Sequence, residues 1–116
     1  MEEDIKELID KTLTKIDREG DYRLTFYAND GTQYLMHHYQ NCCESVAIED
    51  INGELDDLID TPITMAEEVT NDGNTEYGSQ TWTFYKIATI KGYVTIRWYG
   101  SSNGYYSESV NFEKLK

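Results

Sequence analysis

His37, His38, Cys42 and Cys43 are all the histidine and cysteine the chain has, and they fall within seven residues of one another in the stretch HHYQNCCESVAIED. Thiolate sulfur and imidazole nitrogen are the donors of tetrahedral zinc sites. The pattern is not that of a zinc finger, since there is no C-x-x-C and no second, distant pair. If residues 33–39 run as a regular strand, His37 and His38 point to opposite faces and cannot both reach one ion. His38 then shares a face with Tyr34 and Met36, and His37 with Leu35 and Tyr39. A turn at Gln40-Asn41 would return Cys42 and Cys43 towards the strand end, where both sulfurs could join His38. The fourth ligand stays open: His37 if the strand ends early, a carboxylate such as Glu44 or Asp50, or water. The competing reading is structural, because cysteine is often a small buried hydrophobe and His37 could simply be exposed.

Catalysis finds less support in these residues. A catalytic zinc keeps an open position beside a general base, and Glu44 could serve. Yet the chain has no H-E-x-x-H and none of the nucleotide-deaminase signature. A Cys42 nucleophile with His38 as base lacks a third, orienting group. There is no phosphate loop, and DINGELDD lacks the spacing of a calcium loop. The expectation is a non-enzymatic protein whose zinc is structural and pins the residue 33–43 hairpin to the chain beyond it.

Charge is unevenly distributed. Residues 1–23 carry eight acids and five bases, residues 24–85 twelve acids and no base, and residues 86–116 two acids and five bases. The middle stretch thus equals the net charge of -12. Such a surface repels nucleic-acid phosphates and attracts a basic groove, including one built to hold nucleic acid. Solubility is the competing explanation.

Several elements must position these groups. One domain spans 1–116, a length that can bury a core without staples. EDIKELID places Ile5, Leu8 and Ile9 at helical spacing, and GELDDLID does the same with Leu55, Leu58 and Ile59. Strands are expected in TLTKI, YRLTFYA, QYLMHHYQ, SVAIEDI and ITMAEEV, with a hairpin turn at Asp30-Gly31. TNDGNTEYGSQ reads as a polar, mobile loop. TWTFYKIATI, YVTIRWYG and YYSESVNFEKL read as three consecutive strands, the last two joined by a turn at Asn103-Gly104. The expected class is α+β, a mostly antiparallel sheet with one or two short helices. Tyr93, Tyr99, Tyr105 and Tyr106 gather around one hairpin, either as a binding surface or as cross-strand pairs. No apolar run is long enough to span a membrane, and MEEDIKELID is no secretory signal. A cytosol is expected, where the cysteines stay reduced or bind metal rather than pair.

HYQNCCESVAIEDINGELDDLIDTPITMAEE, followed by TWTFYKIATIKGYVTIRWYGSSNGYYSESVNFE, resembles a family of small phage and prophage proteins classed mainly as a domain of unknown function. The resemblance covers roughly residues 8–113, and its most specific part is H-x-Q-x-C-C-E-S-V-x-I-E-D-I-x-G from His38 to Gly53. It implies a zinc held by His38, Cys42 and Cys43. Some members of such phage families are type II-A anti-CRISPR proteins, small inhibitors of Cas9, and the resemblance implies the same here. The expected mechanism is DNA mimicry in the cytoplasm of the infected or lysogenic host. Glu44, Glu49, Asp50, Glu54, Asp56, Asp57, Asp60, Glu67 and Glu68 would meet a Lys/Arg-rich surface of Cas9 and block DNA loading. The alternatives are a phage structural or regulatory protein that binds another host protein, and a small metal-dependent enzyme.

Overall fold

Alternating apolar and polar residues build eight strands in a computed structural model that describes residues 2–116. They are β1 (Leu13–Glu19), β2 (Arg23–Ala28), β3 (Gln33–His37), β4 (Ser45–Asn52), β5 (Met65–Thr75), β6 (Gly78–Thr89), β7 (Gly92–Ser102) and β8 (Asn111–Lys114). Two antiparallel sheets result, one in the order β1-β2-β3-β8 and the other β4-β7-β6-β5. The inward residues of both sheets meet in one apolar core, in which Phe26, Tyr34, Met36 and Phe112 face Tyr85, Ile87, Ile96 and Trp98. Trp98 donates its Nε1–H to Met36 Sδ at 3.3 Å, tying the sheets together at the centre.

The chain crosses between the sheets twice, through residues 38–44 and 103–110. Because β3 lies beside β8 and β4 beside β7, the two crossings run side by side. That adjacency brings the His–Cys stretch against the far end of the chain.

The architecture corrects the α+β expectation. Among the described residues there is no α-helix, and nearly all regular structure is antiparallel sheet. The two segments with helical spacing are single 3-10 turns, Ile5–Leu8 and Leu55–Leu58. A four-residue turn cannot repay the nucleation cost of a helix. Asp10 and Asp60, at φ 72° and 70°, lie just beyond the turns in left-handed backbone. Their apolar residues instead plug the core, where Ile5, Leu8 and Leu58 are buried.

Two further expectations change. The polar segment read as a mobile loop is the tip of the β5–β6 hairpin, paired in register from Met65↔Ala88 to Thr75↔Gly78. The segment after Asn103-Gly104 does not fold back on β7, and β8 pairs with β3 instead. Gly104 does adopt the positive φ of a turn, 96°, but the chain leaves that turn for the other sheet. The local turn signal is overridden by the pairing of Phe112 with Met36 and its burial against Phe26 and Tyr34.

Candidate functional site

The first crossing closes into a ring around Glu44. The N–H groups of Asn41 and Cys42 donate to its carboxylate, each at 2.9 Å. His38 Nε2 lies 2.8 Å from the same group, and the Glu44 side chain is 0% exposed. Gln40 braces the ring by donating from Nε2 to the Glu44 carbonyl at 2.7 Å. The Cys42 N–H is the leading cause that holds the Glu44 carboxyl down at about 2; burial opposes it, and His38 and the Asn41 N–H add to it.

His38 joins the two crossings. Its Nδ1 lies 2.7 Å from the Ser109 carbonyl, which can only accept, so this nitrogen carries a hydrogen. An ionised Glu44 also only accepts. The contacts are therefore complete only with a proton on both ring nitrogens. His37 is directed elsewhere: its Nε2 is 3.1 Å from Glu113 Oε1, and its ring packs on Tyr39 with centroids 4.4 Å apart. Burial lowers its pKa against the opposing pull of Glu113. A cleft of about 350 Å³, lined by Tyr22, Arg23, His37, His38, Gln40 and Val46, opens beside the ring.

Cys42 and Cys43 are exposed and joined to each other as a disulfide. The donors in this arrangement do not fit the zinc implied by the sequence. Neither sulfur is a thiolate, both His38 nitrogens are engaged, and His37 faces Glu113 instead of joining them. Among the described residues, no group of three or more His, Cys, Asp or Glu is placed to hold a metal ion.

The carboxylates expected to meet a partner are not gathered into one patch. Glu44 is withdrawn into the ring. Glu49 is the extra residue of a β-bulge on β4 and pairs with Arg97 at 2.7 Å, with Asp50 next along the strand. Glu54, Asp56, Asp57 and Asp60 surround the second 3-10 turn. Glu67 and Glu68 lie on β5, at the opposite edge of the sheet from β4. There they line a groove of about 470 Å³ with Glu3, Asp4, Ile5 and Lys6.

Sequence reasoning passed over Glu108. It is buried in the second crossing, and its carboxylate accepts from Ser79 and Ser102 at 2.5 Å and from Thr81 at 2.8 Å. Burial pushes its pKa up, but the three hydroxyls outweigh it and the net shift is downward. A signal was present: Ser79 and Thr81 continue the inward-facing row of Thr83, Tyr85 and Ile87, so hydroxyls replace apolar side chains where the core ends.

A family model described as a domain of unknown function, DUF7448, matches residues 6–112, which include both crossings. The chain belongs to the DUF7448 family. No curated protein and no solved structure matches this DUF7448 chain. Among its described residues, no helix is long and apolar enough to cross a membrane.

Proposed function

We propose that this DUF7448 chain is a phage-encoded, non-enzymatic binding protein that acts in the bacterial cytoplasm. Its carboxylates dock on a basic surface that normally holds nucleic acid, and Cas9 is the first candidate partner, through the sequence resemblance. One observation carries the reading. Asp50, Glu54, Asp56, Asp57, Asp60, Glu67 and Glu68 make no ion pair among the described residues, and all but half-buried Asp57 are exposed. Unneutralised carboxylates on a chain of net charge -12 favour a cationic partner and speed its encounter. A non-catalytic role is favoured by His38, whose two nitrogens are both engaged and leave no free base.

The acids form two separated groups, so the contact is built from the second 3-10 turn, from the β5 groove, or from both. Pull-down with Cas9 over about 0.05–0.5 M salt tests this. Binding should weaken steeply with salt, and Asp56→Lys with Asp57→Lys, or Glu67→Lys with Glu68→Lys, should weaken it at low salt. Absence of binding at modest salt removes Cas9 as the partner. Binding that ignores both reversals favours the alternative, a phage structural or regulatory protein with another kind of contact.

A further inference from the structure

The two sheets show opposite characters on their outer faces. On β1-β2-β3 the outward cross-strand pairs are largely polar, such as Asp17 with Thr25, Glu19 with Arg23 and Tyr27 with Gln33. On the other sheet an aromatic and aliphatic cluster stands among polar outward residues such as Asn71, Gln80, Thr95 and Ser101. Trp82 pairs with Tyr99, their rings 5.1 Å apart, and Phe84 pairs with Val69 on one side and Arg97 on the other. Tyr93 and Val69 are 51% and 42% exposed. The two 3-10 turns bury their apolar residues in the shared core, on the other side of this sheet. A cluster of Trp82, Phe84, Tyr99 and Val69 beside Arg97, rimmed by polar residues, has the composition of an interface core.

We propose that a second copy of the chain docks on this face, sheet on sheet about a two-fold axis. Charge selects that occupant. The outward rows hold two bases, Lys86 and Arg97, against three acids, Glu49, Asp50 and Glu67, a balance of -1. The rest of the chain, buried Glu44 and Glu108 included, then carries -11 of the total of -12. Elsewhere two copies would bring like charges together. Here Arg97 is already paired with Glu49 of its own chain, and Lys86, which makes no ion pair among the described residues, can meet an acid of the other copy, reciprocally as a self-complementary contact requires. Size agrees. β6 and β7 have 12 and 11 residues. At about 3.3 Å per residue and about 4.8 Å between strands, a four-stranded face projects roughly 700 Å². A standard interface buries about 800 Å² per partner.

Sedimentation equilibrium of the full chain tests the proposal. A dimer of twice the 13.5 kDa chain mass is expected. It should tighten as salt rises, because salt screens the repulsion between the two acidic bodies and leaves apolar burial in place. That trend is opposite in sign to the salt dependence proposed for the basic partner, so either idea can fail alone. Val69→Lys with Tyr93→Lys changes exposed positions only and should weaken the dimer at least tenfold, with an unchanged circular dichroism spectrum. Tyr27→Glu, on the outer face of the other sheet, should leave the dimer intact. A monomer at about 100 µM chain in 0.5 M salt overturns the proposal, being far above the dissociation constant of a specific dimer. So does a dimer indifferent to Val69→Lys with Tyr93→Lys, or one abolished by Tyr27→Glu.

Discussion

Glu44 and Glu108 occupy the two crossings between the sheets, and both are out of water, at 4% and 8% exposure. Glu44 is held by its own loop: two backbone N–H groups and one imidazole, all within six residues. Glu108 reaches beyond its loop to hydroxyls on β6 and β7. Neither is an orphan charge, because each carboxylate is met by three donors. Their consequences should differ. A carboxylate ringed by its sequence neighbours shapes a loop. One ringed by two strands of a sheet ties a loop to that sheet, and its loss should be felt by the whole fold.

The largest effect is expected where the second crossing rests on its sheet. A Cβ at Gly100 would lie 2.9 Å from Glu108 Cβ and from the Glu108 carbonyl oxygen, and 3.1 Å from Val46 Cγ2. Backbone and core both obstruct it, so Gly100→Ala should cost about 3 kcal/mol, at the upper end of overpacking effects. Glu108→Gln comes next, at about 1–2 kcal/mol, because an amide nitrogen cannot accept from the surrounding hydroxyls. Glu44→Gln should cost less than either and act locally. Urea midpoints measure all three. If Glu44→Gln unfolds the chain as readily as Glu108→Gln, the contrast between loop and sheet is broken.

That contrast marks what the sequence could show. Two strands were legible because apolar residues recur at every second position, Leu24 and Phe26 on β2 and Val94, Ile96 and Trp98 on β7, and all five fall inward. The parting of His37 from His38 has another cause than the expected strand alternation, because β3 ends at His37 and His38 already belongs to the crossing. What was not legible is non-local. Helical spacing in EDIKELID and GELDDLID cannot reveal that only four residues of each will turn. The sequence around Asn103-Gly104 cannot reveal that Phe112 has a better place beside Met36 in the other sheet. The Glu108 contacts with β6 span 27 and 29 residues, whereas the ring around Glu44 lies wholly inside the stretch HHYQNCCE.

Acid should sharpen the comparison next. A carboxyl whose pKa is lowered by folding stabilises fully above its unfolded value and loses that contribution as pH falls through the folded one. For Glu44 the window runs from the ordinary 4.5 down to about 2. Glu108 shifts in the same direction, so its contribution also drains below its ordinary value. A side-chain carboxyl titration by NMR should show Glu44 still ionised well below pH 4. His38→Gln should raise the Glu44 value but leave it below 4.5, because the Cys42 N–H is the stronger cause. A return to 4.5 would move control of the ring from the loop amides to His38.

The smallest effect on stability is expected from reducing the disulfide. Cys42 and Cys43 are neighbours, so their link closes almost no chain and removes little entropy from the unfolded state. No hydrogen bond to Glu44 comes from a sulfur. A dithiol that passes two electrons and two protons to the pair, becoming a disulfide itself, should therefore move the urea midpoint less than any of these substitutions. Reduction does create two thiols in the loop that carries His38, and the zinc expected from the sequence becomes a proposal for that state alone. Elemental analysis with and without dithiol decides it. About one zinc per chain in the reduced protein only, lost in Cys42→Ser with Cys43→Ser, would require His38 to leave Glu44 for the metal. The Glu44 pKa should then rise, and the first crossing would have two alternative centres where the second has one. No zinc under either condition keeps the carboxylate as the centre of both crossings, and the difference between them then lies wholly in who donates to it.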